Sequence, residues 1–298
     1  MNYYQEEKKR PVSTSAVVRI VIWSVVLCIL LSLFAWKLLS WDGVIVGGFN
    51  VGGYRYDDKD FRVGNGTSDE HVTDLTVDWV AGSVRVVASE DDGISVTEDY
   101  DGEDSAMSLR WKIEHGELII KYCAPTWRVG SVQAKNLTVA LPASVLSSLR
   151  DVEVDGVDCD VEFTGNADEL AVSVVDGEIT VGGDIGELDI EAVDGEVYFR
   201  GGVRRADVEC VNAEVVMQLD MATELSFDQV NGNVTLYLSE EITGFSAELD
   251  SIGGGINVYG FDGMSAQEGK HARWGDGSLR IRMDGVGAKL KIEKTTEN

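Results

Sequence analysis

Four successive segments of this chain repeat one pattern. LAVSVVDGEITV from Leu170 is followed by LDIEAVDGEVYF from Leu188, ADVECVNAEVVM from Ala206 and LSFDQVNGNVTL from Leu225. Each reads apolar-x-apolar-x-x-Val-Asp/Asn-Gly/Ala-x-apolar-x-apolar. VDCDVEF from Val157 supplies the second half, with Cys159 in the glycine column; LTVDWVAGSVRV from Leu75 puts Gly82 there, and IGGGINV from Ile252 puts Gly254 there. Along that column Cys159, Gly177, Gly195 and Ala213 lie 18 residues apart, and Gly232 follows 19 later. A fixed period is the mark of an array whose units bury their apolar faces on one another.

Alternation on either side of the Asp-Gly dipeptide predicts strand, corner, strand. Asp and Asn tolerate a left-handed backbone and glycine adopts it freely, so the dipeptide suits a sharp bend. Two topologies fit. In a string of hairpins, Asp-Gly is a two-residue turn, and Val175 would then face Glu178, an apolar–acid mismatch that recurs as Val193 with Glu196 and Val211 with Glu214. In a solenoid each unit is one coil and Val175, Val193, Val211 and Val230 stack as a ladder. The second explains why the column stays valine. The expected fold is therefore all-β, a parallel β-solenoid of roughly 18-residue repeats preceded by one N-terminal transmembrane helix. Its corners would be Gly82, Asp158, Asp176, Gly177, Asp194, Gly195, Asn212, Asn231, Gly232 and Gly254.

That helix is predicted from AVVRIVIWSVVLCILLSLFAW, Ala16 to Trp36, in which Arg19 is the one charged residue. About 20 apolar residues span a bilayer. The run exceeds a signal peptide's apolar core and no A-x-A-like cleavage site follows it. Lys8, Lys9, Arg10 and Arg19 precede or begin it, whereas Lys37 stands alone after it. The positive-inside rule then keeps the N-terminus cytoplasmic and exports the rest. The expected division is a cytoplasmic tail at 1–15, a membrane helix at 16–40, a glycine- and acid-rich stalk or first strands at 41–70, and the β-repeat domain at 71–298. The expected location is the cell membrane, single-pass, with an extracytoplasmic C-terminal domain. Within that domain Met107 to Tyr122 alternates around His115-Gly116 as a hairpin would, and SLRIRMDGVGAKLKI from Ser278 reads as a basic strand that closes the stack and guards its edge.

Composition narrows the function. With 52 acidic against 25 basic residues the formal net charge is -27, which opposes nucleic-acid binding, since phosphate contacts need Lys and Arg. Cys28 lies in the apolar run, and Cys123, Cys159 and Cys210 are an odd set without a CxxC pair. Neither a disulfide framework nor a zinc site follows, and buried free thiols are expected. His71, His115 and His271 share no spacing with acids that would make a metal cluster or a positioned base. There is no G-x-S-x-G, no phosphate-binding glycine loop and no H-E-x-x-H. No catalytic residue, cofactor or metal ligand is assigned. Stacked corner aspartates would repel and could attract calcium, which takes oxygen ligands, although solvated corners are the plainer reading. Trp111, Tyr122, Trp127 and Arg128 could instead line a glycan groove, or cap the stack.

NLTVALP from Asn136, DVEVDGVDCDVEF from Asp151 and the V-D-G-x-V/I-x-V/F units that follow resemble a bacterial β-strand-repeat domain of unknown function, labelled "putative adhesin" and common in Gram-positive envelopes. The resemblance covers residues 70–295. The family typically has Ser-Gly at the corner where this chain has Asp-Gly or Asn-Gly. It offers no catalytic residues. It implies a non-enzymatic envelope protein serving adhesion, scaffolding or envelope-stress sensing, with the lipid bilayer, other envelope or membrane proteins, or cell-wall glycans as partners. The alternatives are a glycan-processing β-helix enzyme and a calcium-stiffened structural module.

Overall fold

The computed structural model describes residues 56–100, 102–125, 132–264 and 266–295. Among these no helix is long and apolar enough to cross a membrane. The tail expected at 1–15 and the helix expected at 16–40 lie outside the described residues. The single-pass anchor and the cell-membrane location read from it therefore find no support in the structure.

The unit formed by Asp58–Ala124 and Ser131–Asn298 is built from strands. In chain order these are β1 (Arg62–Val63), β2 (Gly66–Ser68), β3 (Asp74–Asp78), β4 (Ala81–Ala88), β5 (Ile94–Glu98), β6 (Arg110–Glu114), β7 (Glu117–Lys121) and β8 (Lys135–Leu141). After the one-turn helix α1 (Ala143–Leu146) come β9 (Leu149–Thr164), β10 (Ala167–Gly182), β11 (Ile185–Val230), β12 (Asn233–Leu238), β13 (Gly244–Ile252) and β14 (Ile256–Tyr259). The set ends with β15 (Ala266–Glu268), β16 (His271–Gly275), β17 (Leu279–Val286) and β18 (Lys289–Lys294).

In the repeats, alternate residues point inward and are sealed. Val152 and Val154 of β9 stack on Leu170 and Val172 of β10, which stack on Leu188 and Ile190 of β11, all at most 2% exposed. β-branched side chains suit this half-buried, pleated surface. Neighbouring repeats pair in parallel, one repeat out of step, so that like meets like: Asp158 opposite Asp176, Asp176 opposite Asp194, Gly177 opposite Gly195. The pairing keeps the same 18-residue offset on both sides of the Asp-Gly dipeptides, which excludes hairpins at those corners. A side chain on Gly195 (φ 139) would meet the carbonyl oxygen of Gly177 at 2.0 Å. Cys159 and Ala213 fill the same column with φ negative.

The whole is nevertheless not the parallel solenoid expected. Among the described residues it is one 18-stranded sheet with mixed pairing: β1–β6, β2–β5, β5–β8, β6–β7, β13–β16 and β15–β16 are antiparallel. For β6–β7 and β15–β16 the physical reason is a short connection, Glu114 to Glu117 and Glu268 to His271. Parallel strands need a long crossover, whereas antiparallel neighbours can be joined by a tight turn. His115 (φ 54) and Gly116 (φ 87) form such a turn between β6 and β7, at the predicted place. Nor do the rungs follow chain order. β3 lies between β7 and β9, and β4 between β8 and β9. β17 is inserted between β11 and β13, and β18 between β12 and β14. The basic stretch Arg280 to Lys291 thus guards no edge: it has a neighbour on both sides.

Candidate functional site

The positions that alternate with the core in the first half of each repeat face outward and form three columns. One runs Asp78, Asp155, Ser173, Glu191 through β3, β9, β10 and β11, and ends Asp228, Asp284, Asp250 on β11, β17 and β13. The next holds Thr76, Glu153, Ala171 and Asp189, then Arg282 and Glu248. The third holds Asp74, Asp151, Glu169 and Glu187, then Glu224 and Arg280. A parallel ladder brings equivalent residues within about 5 Å of each other. A repeat with acids at these positions is therefore bound to build an acidic sheet face.

Repulsion concentrates where the face is half-buried. Carboxylate oxygens of Asp207, Glu209 and Asp228 lie within 4.8 Å of one another. Burial, then the charge of Asp228, pushes the Glu209 carboxyl up to about 7. Burial, then Asp284 and Asp207, pushes Asp228 up to about 6. Asp189 is raised by burial and by Asp207 and Glu169. One oxygen of Asp207 is buried with no hydrogen-bond partner. Three carboxylates are donors a hard cation accepts, but calcium takes six to eight oxygens, so this cluster is half a calcium site at most.

Farther along the face a groove of about 570 Å³ is lined by Asp74, Thr76, Glu117, Arg150, Asp151, Glu153, Asp168, Glu169, Glu187 and Arg204. Here the acids have cationic partners. Arg150 pairs with Asp74, and Arg204 Nη2 donates to Glu187 Oε1 at 2.9 Å. The hydroxyl of Thr76 donates to Glu117 at 2.7 Å.

The predicted corners occupy the ridge beside this face rather than the face itself. Gly82 lies in β4 opposite Cys159; Asp158, Asp176 and Asp194 form one exposed ladder. Asn212 and Asn231 continue it, the Asn231 amide donating to Asn212 Oδ1 at 3.1 Å. Gly232 falls between β11 and β12, and Gly254 between β13 and β14. The corner aspartates do not converge on the Asp207–Glu209–Asp228 cluster. Sequence reasoning passed over those three, although the acid-x-acid spacing of Asp207-Val-Glu209 and Asp189-Ile-Glu191 in successive repeats carries the signal.

Other candidates resolve as structure. Trp111 and Tyr122 are 1% and 0% exposed and offer no platform to a glycan; Trp127 and Arg128 lie outside the described residues. His71, His115 and His271 are exposed and none joins the carboxylate cluster. Cys123, Cys159 and Cys210 are buried and form no disulfide with one another. Lys135 is 1% exposed, its ammonium donating to Glu98 Oε2 at 2.7 Å and to the Met107 carbonyl at 2.7 Å, and lying 4.0 Å from the centre of the Tyr122 ring. That arrangement satisfies the lysine fully and binds β5 to β8.

No family model and no curated protein matches the chain. Among solved structures, it is similar to a "putative adhesin" from Bacteroides fragilis at 11% identity, covering 78% of this chain and 97% of that one with a TM-score of 0.44. A "putative adhesin" from Parabacteroides distasonis is 11% identical, with 79% and 98% covered and a TM-score of 0.41. A "putative cell adhesion protein" from Clostridium sporogenes is 9% identical, with 78% and 100% covered and a TM-score of 0.37.

Proposed function

We propose that this protein works by binding rather than by catalysis, its acidic sheet face engaging a positively charged partner in an adhesion or scaffolding role. One observation carries the reading: three columns of outward carboxylates run across the parallel rungs, and at Asp207, Glu209 and Asp228 they crowd to within 4.8 Å. A surface that repels itself gains most from a cationic ligand, which lowers the cost of keeping each carboxylate charged. The resemblance of the repeat pattern to envelope adhesins agrees with the binding reading.

The experiment compares two triple variants of the full chain with equal loss of formal charge, at pH 8, above the raised value of Glu209. Glu187→Gln/Asp189→Asn/Glu209→Gln alters the face; Asp158→Asn/Asp176→Asn/Asp194→Asn alters the corner ladder. Binding of polylysine, followed in a salt titration, should fall far more in the face variant. Equal losses in the two would show attraction by net charge alone and sink the reading.

A further inference from the structure

Beside the acidic face runs a rib of aliphatic side chains pointing to solvent. On the adjacent strands β11, β17 and β13, Val230 lies opposite Val286 and Val286 opposite Ile252. They are 37%, 42% and 49% exposed. Val211, Val193 and Val175 prolong the rib, half-buried, through the preceding repeats. Two residues earlier on the same three strands stand Asp228, Asp284 and Asp250, also in register. A row of apolar rungs thus lies alongside a row of carboxylates, the rungs about 5 Å apart and the rows roughly 7 Å apart. On the other flank of the rib stand Asn231, Gly287 and Gly253, which are uncharged.

We propose that this rib and its aspartate column are the docking surface for a basic amphipathic helix, one with an aliphatic stripe bordered on one side by Lys or Arg. This rests on the reading of the acidic face as a binding surface and names its partner. The match is one of spacing and charge. Neighbours on a helix surface are about 5–6 Å apart, so a helix laid along the rib sets successive stripe residues on successive rungs. Its flanking cations then meet the carboxylate row. Aliphatic residues at an exposed turn gain nothing by facing water, whereas buried beneath a helix they supply affinity. Charge selects against the other occupants. Anionic lipid headgroups would be repelled by the aspartate row. A second copy would set a chain of formal net charge -27 against its like, which opposes close approach.

The probes are two synthetic helical peptides of identical Lys and Leu content, one with leucines in a single stripe and one with the same residues permuted so that they scatter. Binding to the full chain is read by fluorescence anisotropy. The striped peptide should bind roughly tenfold tighter, as burial of two or three aliphatic contacts implies. Val286→Thr/Ile252→Thr should remove that advantage and leave the permuted peptide unaffected. If the double variant melts early, Ile252→Thr alone serves, at the most exposed of the three sites. Asp228→Asn should weaken both peptides. Equal affinity for the two, with acid variants still weakening both, overturns the helix and spares the cationic partner. No binding of either overturns both. Self-association of the chain that the threonine variants abolish overturns the proposal as well, and gives the rib to a second copy.

Discussion

The ammonium of Lys135 and the carboxylate of Glu98 are 2.7 Å apart with side chains 1% and 3% exposed, a sealed ion pair in a molecule whose other carboxylates mostly face water. Glu98 also accepts from the Leu109 amide at 2.7 Å, and burial pulls the lysine down from its ordinary value while Glu98 holds it up. Removing one partner strands a buried charge. Lys135→Met and Glu98→Gln should each cost about 3–5 kcal/mol, and the double variant less than their sum. Urea denaturation of the three proteins measures this; strict additivity would show that the two groups do not act as a pair.

The carboxylate cluster sets a pH dependence of opposite character. Glu209 and Asp228 titrate at about 7 and about 6, above their ordinary 4.5 and 3.8. A raised folded value means the protonated forms favour the fold. The contribution is therefore full below about pH 4 and is lost as pH rises through 6 to 7. Glu209→Gln removes the ionising group. Its melting temperature should exceed that of the parent at pH 8 by an amount reflecting roughly 1–2 kcal/mol, after allowance for partial exposure. The difference should vanish near pH 4. A constant gap at all pH values would mean that the substitution acts through packing alone.

The glycine column separates rungs that need glycine from rungs that do not. Gly195→Ala places a methyl 2.0 Å from the Gly177 carbonyl at a φ of 139, and should cost on the order of 2–4 kcal/mol. Ala213, in the same column with negative φ, already carries that methyl. Ala213→Gly should cost only about 1 kcal/mol. The order of the two denaturation midpoints tests the point.

Burial pushes the thiols of Cys123, Cys159 and Cys210 up to about 12. Thiolate is the reactive form. Iodoacetamide at neutral pH should leave all three unmodified in the folded protein and alkylate them in urea, as peptide mass mapping would reveal. Rapid labelling of Cys210 under native conditions would indicate that its rung opens locally.

Much of this architecture was legible in the chain. The strand-rich character and the His115-Gly116 turn follow from alternation and turn chemistry, and the turn lies where the sequence places it. What could not be read was which rung lies beside which. Arg280, Arg282, Lys289 and Lys291 look like an edge because a strand's own residues reveal its faces but not its neighbours. The same blindness hid Asp228 beside Glu209, since only the 19-residue step aligns them. Lys135 offered a local clue. It alternates with Leu137, Val139 and Leu141, which sets it on the core face and demands a buried acid, but nothing local names Glu98, 37 residues earlier.

The insertion of β17 and β18 between earlier-made rungs bears on how the molecule comes into being. A ribosome delivers Gly244–Tyr259 before Leu279–Lys294, yet the earlier pair rests on the later one and not on β11 and β12. Growth from one end, each turn templating the next, can proceed only as far as β12. Thereafter β13 and β14 must wait beside a gap until their supporting strands emerge and enter it. Assembly at this end of the sheet is thus a keystone step, since 244–259 and 279–294 must come together before either layer is complete.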